Sequence, residues 1–257
     1  MFDRLSYRLT ARSAALLQTI DTGLDRILKY WLIGAGLVVT ARLAVTPHPM
    51  IGAGVSTFLP YGLLVVAPFA STLLALYWFR DGADQPQPAI RLARVGRWRQ
   101  VGRAEARHHP LYGPSGILVS LLVGMMLNVP VRAAEYLAAM PPIGAGAPAW
   151  LSALHFAMTF DVVLFGSLYM IAFVAALRKA PLFPRLLLAI WIGDLAMQLV
   201  TTAMVANAGD VPADVAAALA TLLRGNVEKV LISMAVWLPY LLLSKRVNVT
   251  YRQRVAA

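Results

Sequence analysis

The sequence predicts an all-α, polytopic membrane protein with six transmembrane helices, both termini cytoplasmic, and an amphipathic N-terminal helix. Three observations predict it. The 257 residues are 59% hydrophobic and only 14% charged, against about 25% charged in a soluble domain. Six apolar runs can be drawn, at Tyr30–Thr46, Val55–Phe79, Ser115–Val131, Leu151–Leu177, Leu186–Ala206 and Val227–Leu243, each near the ~17–25 residues that match a bilayer's hydrocarbon core. Nineteen Lys and Arg residues fall in one alternating set of connections and three in the other, with Arg42 inside the first run. That bias places the basic connections in the cytoplasm. It also makes the net charge of +11 a matter of topology, not of nucleic-acid binding.

Residues 1–29 come first. Their apolar positions (Leu5, Leu9, Leu16, Ile20, Leu24, Ile27, Leu28) recur every three or four residues. This is the pattern of an amphipathic helix lying on the cytoplasmic membrane face and running into the first span. Asp mixed with Arg, and no long apolar centre, argue against a cleavable leader. His48, between two prolines, reads as a solvated residue of the outer turn. Residues 80–113 form a basic loop on the cytoplasmic side. In it "DGADQPQP" is a turn-rich break, and the following "AIRLARVGRWRQVGRAEARHH" sets Leu92, Val95, Trp98 and Val101 at every third position among arginines. The expectation is a surface-bound helix on an anionic inner leaflet, each basic residue adding about 1 kcal/mol of attraction; the alternative is a basic patch that binds a protein or nucleic acid.

Further along, "MPPIGAGAP" is a loop by its Pro and Gly content, and "VPADVAAALATLLRG" predicts a short outer helix started by Pro212 and stopped by Gly225. Ile-Gly-Ala-Gly occurs at Ile33, Ile51 and Ile143. The three copies stand in different contexts, and none follows a strand and opens a helix as a phosphate loop does. In the last run Pro239 cannot donate to the carbonyl of Ala235, which predicts a bent helix packed against others. Trp237 and Tyr240 suit the interfacial zone, and Lys245 and Arg246 mark the end of the span in the headgroups.

Ionisable groups inside spans are costly and point to function. Here they are Arg42, His155, Asp161 and Asp194. Asp194, Gln198, Thr201 and Thr202 are spaced to share one helix face, which should look into the bundle. Arg132 lies towards the outer end of its span, on the side of Arg42, His155 and Asp161. Two readings stand: either Asp161 or Asp194 pairs with Arg42 or Arg132, or accepts hydrogen bonds from Thr and Gln, and fixes helix register, or these groups line an outward-facing polar cavity that handles a proton, ion or small polar solute. No nucleophile has an oriented base; Ser152 and His155 read as a hydrogen-bonded patch, and His108 and His109 as solvated, without a metal-ligand set. With no cysteine there is no disulfide or thiolate chemistry. No cofactor is indicated.

The stretch "WLPYLLLSKRVNVTYRQR" resembles the C-terminal signature of the domain of unknown function 2569 family, uncharacterised bacterial inner-membrane proteins. The matching residues are Trp237, Pro239, Tyr240, Ser244, Lys245, Arg246, Val247 and Thr250, with Tyr251 in an aromatic slot. "RKAPLFPRLLLAIWI" resembles the family's entry to its penultimate span, and Gly116–Arg132 is weakly similar to its first. The resemblance implies a four-helix unit over 114–254, with 30–79 an added two-helix hairpin, and no assigned activity. Taken together, the sequence favours a non-catalytic accessory or assembly component that docks on a membrane protein or on a second copy of the chain. The alternative is a small transporter or proton-linked permease using Asp161, Asp194 and Arg42.

Overall fold

A computed structural model describes residues 2–45, 54–144, 146–209 and 211–257. His48 lies outside them. Nine helices hold most of the described residues: α1 (Phe2–Thr22), α2 (Leu24–Val45), α3 (Val55–Trp78), α4 (Arg103–His108), α5 (Ile117–Ala139), α6 (Ala149–Leu177), α7 (Phe183–Asn207), α8 (Ala213–Leu243) and α9 (Lys245–Arg252). Among the described residues, the helices α2, α3, α5, α6, α7 and α8 are long and apolar enough to cross a membrane. The architecture is all-α and polytopic, as the sequence predicts.

The first helix ends at Thr22, Gly23 forms a turn, and α2 begins six residues before the predicted start of the first span. The apolar stripe of α1 serves more than lipid: Leu17 and Ile20 are buried in the protein core, while Leu16 is exposed. The Gly116 amide donates to Ser13 Oγ (2.7 Å), which fastens α1 to the start of α5. Helix α6 is the central post. It packs on α3, α5 and α7, and Phe173 to Ala176 are fully covered. Helices α2 and α8, by contrast, leave most of their side chains uncovered within the chain.

Two expectations are corrected. The basic loop is not a surface helix. Apart from a 3-10 turn (Gly82–Asp84) and α4, it holds a short strand β1 (Trp98–Gln100), paired antiparallel with β2 (Arg254–Ala256). Gly96 takes a positive φ of 92°, which breaks a helix, and the tail strand supplies the hydrogen bonds a helix would have made. Trp98 and Val101 are buried within the protein. The outer segment from Pro212 is likewise no separate helix: Pro212 caps it as expected, but α8 runs on through Gly225 to Leu243. A glycine inside a helix costs about 1 kcal/mol, less than breaking backbone hydrogen bonds near lipid. Pro60 and Pro239 also sit inside continuous helices. Near Pro68 of α3, Trp31 Nε1 donates to the Val65 carbonyl (2.9 Å), next to the Leu64 carbonyl that Pro68 leaves without its helical donor. The glycines of the first Ile-Gly-Ala-Gly, Gly34 and Gly36, touch no neighbour, so that copy makes no close helix contact.

The tail locks one end of the bundle. Ser244 Oγ accepts from the Val247 amide (3.4 Å) and so caps α9. Arg246 Nη1 donates to the carbonyls of Leu111 and Gly113 (3.3 and 3.2 Å). Thr250 Oγ1 accepts from the Gly113 amide (3.0 Å), Tyr251 Oη donates to the Ala176 carbonyl (2.9 Å), and Gln87 Nε2 donates to the Tyr251 carbonyl (3.0 Å). Val247 and Tyr251 have no exposed surface, whereas Lys245 is exposed. Most of the C-terminal signature is therefore a latch, binding the tail to the basic loop and to the end of α6. Tyr240 stands edge-on to Trp237 with ring centres 5.9 Å apart, one turn above.

Gly82 shows how tightly this end is closed. A Cβ there would lie 2.7 Å from the Arg178 carbonyl oxygen, a backbone atom that cannot swing aside. Gly82→Ala is expected to cost about 1–3 kcal/mol, read as a lower melting temperature of the detergent-solubilised protein. An unchanged melting curve would mean that the turn yields freely.

Candidate functional site

Four helices converge on a polar layer held between two apolar clusters. One cluster, on the tail side, includes Phe165 and Trp191; the other includes Tyr61, Ala133 and Val162. Arg132 stands between them. Its Nη1 donates to Asp161 Oδ2 (2.8 Å), its Nη2 to Asp194 Oδ2, and its Nε to Asn128 Oδ1 (3.0 Å). The guanidinium also lies over the rings of Phe165 and Tyr169, at 5.4 and 5.7 Å. Tyr169 Oη donates to Asp194 Oδ2 (3.3 Å). Gln198 Nε2 reaches both aspartates at 3.4 Å, and Asn226 of α8 donates to Gln198 Oε1 (3.4 Å).

Helical spacing explains the convergence. Asn128 and Arg132 are four apart on α5, Asp161, Phe165 and Tyr169 are four apart on α6, and Asp194 and Gln198 are four apart on α7, so each set shares a face. At 1.5 Å per residue Asp161 stands about 24 Å along α6 from its tail-side end, and Asp194 about 17 Å along α7 from the same side. A long, forked side chain is needed to reach both, and arginine provides it. The side chains of Arg132 and Asp161 are 13% and 10% exposed and that of Asp194 is 0%. With all three groups ionised, the triad carries one more negative than positive charge.

The exposed edge of this layer borders a cavity of about 750 Å³ between α5, α6 and α8. Its lining includes Arg132, Asp161, Tyr169, Asn226 and Lys229, among mostly apolar walls, the usual make-up of a small-molecule pocket. At the rim Lys229 Nζ pairs with Glu135 Oε1 across α5 and α8 (2.5 Å).

Of the residues marked from sequence, Arg132, Asp161, Asp194 and Gln198 meet here. Thr201 is buried further along the same face of α7 (1% exposed), whereas Thr202 is exposed and donates back to the Gln198 carbonyl (2.9 Å). Arg42 does not join the aspartates; its Nε donates to the Leu137 carbonyl (2.9 Å) at the far end of α5. Nor does His155. It belongs to a separate aromatic group, with Nε2 3.3 Å from Tyr136 Oη and its ring near those of Tyr61 and Tyr136. Tyr136 Oη also bonds Thr159 Oγ1 (2.8 Å), while Ser152 is exposed, so the hydrogen-bonded patch runs through Tyr136. On the tail side His108 Nδ1 lies 2.7 Å from the Ala104 carbonyl and His109 Nδ1 accepts from the Leu111 amide (3.1 Å). Asn128, Tyr169 and Asn226 were missed. The first two were findable, lying four residues before Arg132 and eight after Asp161 on the same helix faces.

No family model matches the chain, and neither a curated protein nor a solved structure does.

Proposed function

We propose that the chain is a multi-pass protein of the bacterial inner membrane, with both termini cytoplasmic, that binds a small cationic solute or a proton in the cavity beside Arg132, Asp161 and Asp194. One observation carries this reading: a buried triad with an excess of one negative charge adjoins a pocket large enough for a small molecule. An uncompensated charge inside a membrane protein is costly. A proton on one carboxylate, or a cation beside Asp161, makes the layer neutral, so binding either one couples to the other. That is the chemistry of a proton-linked permease. The orientation is supported by the convergence of the basic connections on the end that the tail latches, and the inner-membrane setting by the resemblance of residues 237–254 to an uncharacterised family of inner-membrane proteins.

A second reading, the accessory component, is supported by the uncovered faces of α2 and α8, with Leu37, Val38, Ile232 and Val236 all exposed. Such faces suit lipid or the helices of a membrane partner.

One experiment separates the two. The chain alone is reconstituted in liposomes holding a pH-sensitive dye, and small amines and guanidinium compounds are added outside. Proton flux coupled to one of these is the expected result. Asp161→Asn and Asp194→Asn should each cut it at least tenfold without lowering the melting temperature, because either change removes the surplus charge. Silent liposomes, together with a stoichiometric membrane partner after gentle purification, would instead establish the accessory role.

A further inference from the structure

Away from the membrane interior, five arginines gather where the tail meets the basic loop. We propose that Arg91, Arg94, Arg185, Arg252 and Arg254 form a binding site for a phosphate-bearing anion.

Backbone contacts draw the five together. Arg252 Nη2 donates to the carbonyls of Leu92 and Ala93 (2.9 and 2.7 Å), the two residues between Arg91 and Arg94. Arg185 Nε donates to the Ile90 carbonyl (2.5 Å), next to Arg91, and its Nη1 to that of Pro181 (2.7 Å). Arg94 donates to the Trp98 carbonyl. The pairing of β1 with β2 sets Arg254 opposite Gln100, whose Oε1 accepts from its Nε (3.4 Å).

Among the described residues, no acid pairs with any of the five. The ion pairs at this end, Arg99–Glu105, Arg107–Asp84 and Arg178–Asp21, include none of the five. Arg252 and Arg254 are nonetheless 3% and 8% exposed, and Arg254 Nη1 is buried without a hydrogen-bond partner. Burial first, then Arg254 and Arg185, pulls Arg252 down to about 10. Burial, then Arg94 and Arg91, lowers Arg254. Removing charge from water without an opposite charge is strongly unfavourable. A fold that uses main-chain carbonyls to hold like charges together leaves their neutralisation to something it binds. Phosphate fits: guanidinium forks match its oxygens two at a time, and its charge answers several cations at once. Arg91 and Arg94 are exposed and form the entrance.

The anion has two sources, an anionic phospholipid headgroup level with the start of α7 or a soluble phosphate compound. Both are tested on the full chain in phosphatidylcholine nanodiscs, by titrating in phosphatidylglycerol and, separately, inorganic pyrophosphate. The expected result is saturable binding of one of them, weakened at least tenfold by Arg91→Gln combined with Arg94→Gln. Arg12→Gln, at an exposed arginine of α1, should change affinity less than twofold. Lipid-only binding identifies the headgroup and pyrophosphate-only binding the soluble source; either upholds the site. If the double variant melts lower in phosphatidylcholine alone, Arg91→Gln by itself replaces it. Failure of both anions to bind, or equal weakening by Arg12→Gln, would overturn the proposal by showing only diffuse attraction.

Discussion

Arg132→Met is expected to destabilise the protein by about 3–5 kcal/mol, the usual cost of removing one partner from a buried ion pair. It leaves Asp161 and Asp194, one of them fully enclosed, facing each other without a counter-charge, and it empties the fork that Asn128 also holds. The measurement is loss of folded protein with rising temperature in mild detergent. The cause is checked by adding Asp161→Asn and Asp194→Asn to the same chain. A triple variant that melts nearer the parent than Arg132→Met does would show that stranded charge, not lost packing, sets the cost. If Arg132→Met alone melts like the parent, the triad is not holding α5, α6 and α7 together. Its contrast with the single Asp→Asn changes is instructive. Those relieve an excess of charge, whereas losing the arginine enlarges it.

Tyr251→Ala should be comparably severe, about 3–5 kcal/mol for deleting a fully buried aromatic side chain. The ring packs on Phe183 with centroids 5.0 Å apart, and the hydroxyl holds the end of α6. Tyr251→Phe keeps the ring and gives up only the bond to Ala176, about 0.5–1.5 kcal/mol. Limited proteolysis gives a second readout: with Tyr251→Ala the basic loop should be cut sooner, because its partners have left. Equal protection in the variant would mean that the loop is held without the tail. The latch also has a pH limit. Burial, then Tyr240 and Tyr112, raises Tyr251 well above its ordinary value, so the folded form keeps its proton where the unfolded chain begins to lose it. The stability this residue contributes is complete below the ordinary tyrosine value of about 10 and falls as pH rises beyond it.

The spans and their number were legible because the bilayer imposes length and polarity on every crossing helix. Asp194 and Gln198 were legible for the same reason: polar residues at helical spacing inside an apolar run need an inner face. The choice of Arg132 over Arg42 was not. Both sit towards the same ends of their spans, and only the rotation of α5 against α6 and α7, set by packing, aims one at the aspartates. The basic loop misled because its three-residue spacing is compatible with a helix, while its real partner is a strand far away in sequence. Likewise the C-terminal motif reads as a bent helix and an interfacial anchor, but nothing local shows that Arg246, Thr250 and Tyr251 reach back across the chain.

That reach has a consequence for how the molecule is made. Arg252 lies 159 positions after Ala93, whose carbonyl it holds. Chains are synthesised N-terminus first, so the segment around residue 93 emerges and waits while four more helices enter the bilayer. During that interval it lacks the strand it pairs with in the folded chain. Closure therefore comes last, and the strand pair forms only after every helix between its two halves has been made.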